Sequence, residues 1–292
     1  MERVLITGAS GFIGRHLSQY LVEKKFEIVK MDMVQNSETT TCANIQNSDV
    51  IELIASLKPN AVVHLAAQID VQKSFENPVE DLLTNCLGTL NVLNGAIKGG
   101  VSNFVYITSG GAIYNSDQKL PVSENGELNP LSPYGISKLA GEFYVKAICK
   151  QAKINWSSLA LSNCYGPLSE NMNGVIPHWW SKLRKNEVVK IHGADTTRDF
   201  IYITDVIKAI NMVLEKPVNQ RLNISTGVEI SLLELFFEMT RVMNLRAEPA
   251  IWPLPEGEIS RSGLDNKKAK KILGWEPEIS LKQGIRLCLK ET

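Results

Sequence analysis

The sequence lacks long apolar runs, clustered cysteines and an excess of charge of either sign. No hydrophobic stretch approaches the roughly 20 residues that a membrane-spanning helix needs, so we expect no membrane partner. The 31 basic and 31 acidic residues give a formal net charge of zero, which removes the electrostatic signature of a nucleic-acid-binding protein. The first residues are predicted to form a buried strand rather than a signal peptide.

The cysteines and histidines are too scattered to indicate a disulfide framework or a metal site. The five cysteines are odd in number and include no Cys-x-x-Cys pair, which is typical of free thiols in a reducing compartment. We therefore expect a cytoplasmic protein. The four histidines show no metal-ligand spacing, and we predict no metal.

What is present is a glycine-rich turn directly after the first predicted strand. The turn contains Gly8, Gly11 and Gly14, and helical apolar spacing follows it. Strand, glycine turn and helix in this order predict a dinucleotide site, because the pyrophosphate can approach the backbone and bind at the helix N-terminus. Asp32 ends the second predicted strand, at the spacing expected for an acid that binds the adenosine ribose. Its charge would repel a 2′-phosphate, so NAD is favoured over NADP.

Strands and helices alternate through the first half of the chain. Apolar runs predict parallel strands, and helices are predicted between them, the longest at 78–98 and 133–151. This pattern predicts an α/β fold with a Rossmann-type, doubly wound parallel sheet. We assign residues 1–167 to an NAD-binding domain, with 200–225 returning to it. Residues 168–199 and 226–292 are predicted to form a smaller, discontinuous C-terminal α/β lobe that binds the substrate.

Tyr134 and Lys138 are four residues apart on the helix predicted at 133–151. Residues with this spacing share one helix face, so the ammonium can lie near the phenol. A nearby cation favours the phenolate, and we expect it to lower the pKa of Tyr134. The pair is therefore a candidate proton shuttle for interconverting an alcohol and a ketone.

With these motifs assembled, the chain resembles the extended short-chain dehydrogenase/reductases. More narrowly, it resembles the nucleotide-sugar epimerase/dehydratase group and its UDP-glucose 4-epimerase branch. The similarity covers almost the whole chain and includes further segments at 64–68, 85–91, 163–167, 198–202 and 273–277.

The resemblance implies roles for individual residues. Tyr134 would be the catalytic acid/base and Lys138 its partner, which also binds the nicotinamide ribose. Asn44-Ile45 stands where the family usually has Asp-Ile or Asp-Leu against the adenine. The implied NAD-binding set also contains Gly8, Gly11, Phe12, Ile13, Gly14, Asp32, Leu65, Ala66, Ala67 and Asn85. The implied substrate-binding set contains Ser109, Tyr134, Asn163, Arg198 and Arg261, the last three directed at the nucleotide diphosphate.

A hydroxyl is needed near Tyr134 to hold the reacting sugar oxygen. Thr108 and Ser109 both precede Gly110-Gly111, and strand alternation would point them to opposite faces. We choose Ser109, because its Ser-Gly-Gly-Ala context occurs in some epimerase-like relatives, and keep Thr108 as the alternative.

The implied activity is 4-epimerisation of a nucleotide-diphosphate sugar by transient oxidation at C4. A nucleotide-linked 4-keto-sugar reductase uses the same residues and remains the alternative. A 4,6-dehydratase is disfavoured because the expected acidic pair is absent at Ser109-Gly110. A non-catalytic cofactor-binding relative is disfavoured because Tyr134 and Lys138 are both present. The resemblance also implies a homodimer, formed through a four-helix bundle by the helices at 78–98 and 133–151.

Overall fold

The computed structural model describes residues 2–36, 39–115, 117–167, 174–255 and 259–290. The strands are β1 Arg3–Thr7, β2 Glu27–Asp32, β3 Thr41–Cys42, β4 Ala61–His64, β5 Asn103–Ser109, β6 Asn155–Leu161, β7 Asn163–Tyr165, β8 Lys190–His192, β9 Thr197–Arg198, β10 Phe200–Tyr202, β11 Arg221–Ile224, β12 Ile230–Ser231 and β13 Ala250–Trp252. The α-helices are α1 Phe12–Glu23, α2 Val50–Leu57, α3 Val71–Glu76, α4 Pro78–Leu82, α5 Thr89–Lys98, α6 Gly110–Ile113, α7 Pro133–Ala152, α8 Val175–Arg184, α9 Ile203–Glu215, α10 Leu232–Val242, α11 Lys267–Leu273 and α12 Leu281–Lys290.

A seven-stranded sheet forms the centre of the fold, in the order β3-β2-β1-β4-β5-β6-β11. Every neighbouring pair in it is parallel, which confirms the predicted Rossmann-type sheet. Three two-stranded sheets lie outside it: β7 pairs with β10, β8 with β13, and β9 with β12. The central strands are apolar and fully buried because helices cover both faces.

Alternation along β1 shows how the two faces are covered. Leu5 packs with residues of α2, α5 and α7, whereas Val4 and Ile6 belong to a cluster that includes α1 and α9. Successive strand side chains point to opposite faces, so both layers are anchored by the same short strand. This double winding leaves the ends of the parallel strands open to a ligand at the sheet edge.

The helix predicted at 78–98 is interrupted. Its first part is α4, its last part is α5, and Leu83–Gly88 between them forms a π-helical segment. One such wide turn reorients the side chains that follow it, and π turns often lie at functional sites. Apolar spacing cannot reveal a change from i+4 to i+5 hydrogen bonding, which is why the sequence predicted a single helix.

Among the elements after β7, those outside 200–225 belong to the part of the chain predicted to bind substrate, whereas β10, α9 and β11 lie in the stretch predicted to return to the NAD-binding domain. α10 begins at a Ser231–Glu234 capping box, with both reciprocal hydrogen bonds present. Trp179 of α8 packs against Phe236 of α10 with ring centroids 6.2 Å apart. The division into two lobes stays a prediction.

Within the described ranges, no helix is both long enough and apolar enough to cross a membrane.

Candidate active site

A cleft of about 1760 Å³ opens where the ends of β1, β2, β4 and β5 face the residues after β6. It contains most of the predicted site. The predicted residues that line it are Gly8, Gly11, Phe12, Ile13, Gly14, Asp32, Asn44, Ile45, Leu65, Ala66, Ala67, Thr108, Ser109, Tyr134, Lys138 and Asn163.

The glycine turn forms the end of the cleft nearest α1. Gly8 has a φ of +70°, and a Cβ there would lie 2.7 Å from the backbone nitrogen of Ala66. A Cβ on Gly14 would lie 2.3 Å from the carbonyl oxygen of Gly8. Side chains are therefore excluded at these two positions, which lets a ligand approach the backbone of the turn closely.

The first turn of α1 is suited to an anion. Gly11 is its N-cap, and among the described residues no side chain caps it and no acid stands in its first turn. The helix dipole and the free N–H groups of this turn can therefore bind the diphosphate of a dinucleotide.

Asp32 lies beside the glycine turn with its carboxylate held in place. One oxygen accepts the N–H of Ser10 at 3.0 Å and the other accepts the N–H of Val34 at 3.1 Å. An ionised carboxylate has about four acceptor positions, so it retains capacity for ribose hydroxyls. The turn, α1 and Asp32 together fit NAD.

Replacing the charge at Asp32 should weaken NAD binding and reduce the discrimination against NADP. Because hydrogen bonds to charged groups contribute about 1.5–3 kcal/mol, Asp32→Asn should raise the Kd for NAD by about tenfold or more. The Kd for NADP should rise less or fall, since the repulsion of its 2′-phosphate is removed. Titration calorimetry with both dinucleotides measures this, and equal losses for both would contradict the assignment.

The adenine end of the cleft contains the predicted Asn44-Ile45 pair. The Asn44 side-chain oxygen accepts the N–H of Gln46 at 3.0 Å, which fixes this turn. Ile45 is buried, and Gly88 of the π segment lies against its side chain. The structure therefore places both residues along the cleft, as the sequence predicted.

Tyr134 enters the cleft from the first turn of α7. Ser132 caps this helix by accepting the N–H of Gly135 at 3.1 Å, and Pro133 occupies the first turn. Ser109 lies beside Tyr134 in the cleft, close enough to influence the ionisation of the phenol. Thr108 is buried, and its hydroxyl has no hydrogen-bond partner among the described residues. This geometry favours Ser109 over Thr108 as the hydroxyl that works with Tyr134.

Burial dominates the electrostatics of the pair. It raises the pKa of Tyr134 to about 12, against an opposing influence of Ser109. Burial likewise lowers the pKa of Lys138 to about 8. The pKa of Tyr134 is therefore raised, not lowered as expected, because desolvation of the phenolate is the largest influence on it.

Lys138 is 5% exposed and lies over an aromatic ring. Its ammonium is 4.5 Å from the ring centroid of Tyr106, whose hydroxyl donates to the Lys138 carbonyl oxygen at 3.1 Å. The aromatic face offsets part of the cost of burying the cation. Both ends of Lys138 are thus held by one buried side chain of β5.

Asn85 lies behind the cleft rather than along its lining. Its side-chain oxygen accepts the N–H of Gln68 at 2.9 Å, and its amide donates to the Gln68 carbonyl at 3.0 Å and to the Ser137 hydroxyl at 3.0 Å. Asn85 therefore joins the loop after β4 to α7 by hydrogen bonds. Any effect on NAD passes through that loop, which carries Leu65, Ala66 and Ala67.

A buried histidine forms a connection that sequence reasoning missed. His64 hydrogen-bonds Thr7 at 2.7 Å and Thr89 at 3.0 Å, while Thr89 donates to the Asn85 carbonyl at 2.6 Å. Since the Thr89 proton is used there, its oxygen accepts from His64 Nε2. Burial lowers the pKa of His64 to about 3, so the ring is neutral at physiological pH. In the sequence, Thr7 directly precedes Gly8 and His64 directly precedes Leu65, so each bonded residue stands just before a cleft loop. This order was the only indication of the link between the two loops.

The two predicted diphosphate-binding arginines are not among the residues that line the cleft. The Arg198 guanidinium donates to the Thr197 carbonyl at 2.8 Å. Arg261 forms a bidentate pair with Glu229, at 3.1 and 2.9 Å. No local pattern indicated that acidic partner, which lies 32 residues earlier in the chain. Their contact with a diphosphate remains a prediction.

Fold and site together define an enzyme class built to bind a dinucleotide beside a reactive tyrosine. A family model described as the NAD dependent epimerase/dehydratase family matches residues 4–225. A putative UDP-glucose 4-epimerase from Methanocaldococcus jannaschii is 40% identical over 97% of this chain and 96% of its own length.

Solved structures agree over almost the whole chain. UDP-glucose 4-epimerase from Thermotoga maritima, with UDP-glucose, has a TM-score of 0.95 at 33% identity and covers 99% of this chain and 98% of its own. The enzyme from Thermus thermophilus, in complex with NAD, has a TM-score of 0.91 at 28% identity with coverages of 99% and 98%. The chain belongs to the NAD-dependent epimerase/dehydratase family of extended short-chain dehydrogenase/reductases. The predicted family, enzyme class and NAD cofactor are confirmed.

Proposed function

We propose that this enzyme is a nucleotide-sugar 4-epimerase that interconverts UDP-glucose and UDP-galactose. The observation that carries the proposal is that Tyr134, Ser109 and Lys138 line one cleft with the glycine turn. Relatives named as UDP-glucose 4-epimerases support the same reaction, because this chain aligns with them over 96% and 98% of their own length.

Each residue of the site has a separate role at the sugar 4-hydroxyl. NAD, when bound, supplies a reversible hydride acceptor. The phenolate form of Tyr134 takes the proton of the 4-hydroxyl and returns it after the sugar has turned over, as one group acting as base and then acid. Ser109 holds the reacting oxygen beside Tyr134, and Lys138 keeps the phenol oriented. The cofactor is regenerated in each cycle, so no net oxidation occurs.

Substrate recognition is proposed for Asn163, Arg198 and Arg261. Asn163 lines the cleft, and its N–H donates to the Asp199 carbonyl at 2.9 Å, which leaves its side chain for a ligand. The carboxylate of the neighbouring Asp199 accepts the N–H groups of Thr226 and Gly227. A guanidinium at either arginine could bind phosphate oxygens bidentately after a side-chain rotation.

The reaction is tested by incubating the purified protein with UDP-glucose and following the products by NMR. We expect UDP-galactose to form without added reduced cofactor. Consumption of added NADH or NADPH with a nucleotide-linked 4-keto sugar, and no interconversion of sugars, would instead establish the reductase. A panel with dTDP- and GDP-sugars identifies the nucleotide.

We also propose that the protein is a homodimer, assembled through α4, the π segment and α7. These helices pack together yet expose large apolar side chains, among them Leu82, Ile136 and Phe143. Exposed apolar surface of this kind is typical of protein–protein contacts. A second copy of the same two helices would complete a four-helix bundle with twofold symmetry.

The double variant Leu82→Glu/Phe143→Glu should be monomeric, because it places charges in the contact. Sedimentation equilibrium should show half the mass of the unaltered protein. Val188→Glu, an equally exposed apolar position elsewhere, is the matched control and should keep the dimer. A monomeric starting protein, or a double variant of unchanged mass, would contradict this interface.

A further inference from the structure

A buried carboxylate beneath the cleft is left without a function by the proposed mechanism. Asp81 of α4 is 1% exposed. One of its oxygens accepts from the amides of Gln68 at 2.9 Å and Asn85 at 3.2 Å. Its other oxygen is buried and has no hydrogen-bond partner among the described residues. A carboxylate in this state is costly to bury, because neutral amides do not neutralise its charge.

Asp81 is joined to α7 next to Lys138, because the Asn85 amide that donates to Asp81 also donates to the Ser137 hydroxyl at 3.0 Å. From this position its charge acts on Lys138, on Tyr134 and on the Cys86 thiol. Through Gln68, which lines the cleft, it also holds the loop after β4. The carboxylate is therefore connected to the cleft both electrostatically and mechanically.

Other charged and titratable groups also face Lys138, from every element packed around it. They are Glu142 on α7, Cys86 on the π segment, Tyr106 on β5 and His64 on β4. Glu142 is the other carboxylate of this set, and it is already paired with buried Arg221 at 2.7 Å. Within the part of the chain that is described, Asp81 is thus the carboxylate facing the ammonium that forms no ion pair with another cation.

We propose that Asp81 is a positioning residue that keeps Lys138 in its ammonium form beneath Tyr134 and fixes the loop after β4 through Gln68. This proposal rests on the roles given to Tyr134 and Lys138 in the proposed function. Asp81 touches neither substrate nor cofactor and acts through these two side chains.

The negative charge of Asp81 acts to raise the pKa of both Lys138 and Tyr134. Burial lowers the pKa of Lys138, and Asp81 is the largest influence opposing that change. Asp81 also adds to the raised pKa of Tyr134, because a carboxylate disfavours a nearby phenolate. Removing the charge should therefore lower the pKa of both groups. A residue that only supported the fold would have no reason to shift the two together.

The test is an NMR titration of the full-length protein labelled at lysine side chains, with the Lys138 signal assigned by its absence in Lys138→Met. The unaltered protein should titrate near the value of about 8. In Asp81→Asn, the midpoint should fall by about one pH unit, as for the loss of a nearby opposite charge. Glu76→Gln removes an exposed carboxylate from α3 and should leave the midpoint unchanged.

An unchanged Lys138 midpoint in folded Asp81→Asn would overturn the proposal. Asp81→Ser serves as a second variant with the same expected direction if circular dichroism shows that Asp81→Asn does not fold. A pH profile of kcat should show both limbs moved to lower pH in the folded variant. The titration needs no substrate, so it can succeed or fail whether or not the protein proves to be a UDP-glucose 4-epimerase.

Discussion

Tyr134→Phe should lose turnover by a factor of about 10²–10⁴, because the phenylalanine ring has no group that can carry the proton of the sugar 4-hydroxyl. The ring fills the same space, and Asp32 and the glycine turn are untouched, so NAD binding should be retained. Initial rates of sugar interconversion and titration calorimetry with NAD measure the two properties in one preparation.

Tyr144→Phe provides the matched control for this change. Tyr144 lies on the same helix but is about half exposed, away from Ser109. Its variant should turn over at the unaltered rate. Near-normal turnover in Tyr134→Phe would remove the basis of the proposed mechanism, since the phenol in the cleft would then have no catalytic consequence.

Lys138→Met should lose activity and gain stability at neutral pH. The pKa of Lys138 is about 8 in the folded protein, below its ordinary value of 10.5. The buried ammonium therefore costs on the order of 3 kcal/mol below pH 8, and that cost disappears as the pH rises from 8 to 10.5. The unfolding free energy of the variant should exceed that of the unaltered protein at pH 7, and the difference should narrow towards pH 10.

Denaturant unfolding across this pH range measures the difference directly. Lys146→Met, an exposed position on the same helix, should show neither the loss of activity nor the pH-dependent difference. A stability difference between Lys138→Met and the unaltered protein that stays constant from pH 7 to pH 10 would show that Lys138 titrates normally. A buried group retained at such a cost is expected where function requires it.

Short-range features of this site could be predicted from the sequence. The glycine turn, Asp32 at the end of β2 and the Ser231 capping box depend on neighbours within a few residues or on one βαβ unit. The parallel sheet followed from the alternation of apolar strands and helices, because such units have few alternative arrangements. The glycine turn and Asp32 lie together along the cleft, as the strand–turn–helix order indicated.

Properties that depend on burial or on distant partners could not be predicted. The spacing of Tyr134 and Lys138 placed them on one helix but did not show how far desolvation would shift the pKa of each. The pairing of Arg261 with Glu229 joins two loops that no local pattern connects. Asp81 stands one helical turn before Asn85, and this spacing was the only signal for its place under the cleft.

The central claim is that C4 of the sugar is oxidised and then reduced by the same hydride while Tyr134 moves the proton. It is tested most directly with UDP-glucose carrying deuterium at C4, incubated with the enzyme in ordinary water. The account predicts UDP-galactose that keeps the deuterium at C4, because the hydride returns to the carbon that gave it. UDP-galactose in which this deuterium has been replaced by solvent hydrogen would contradict it.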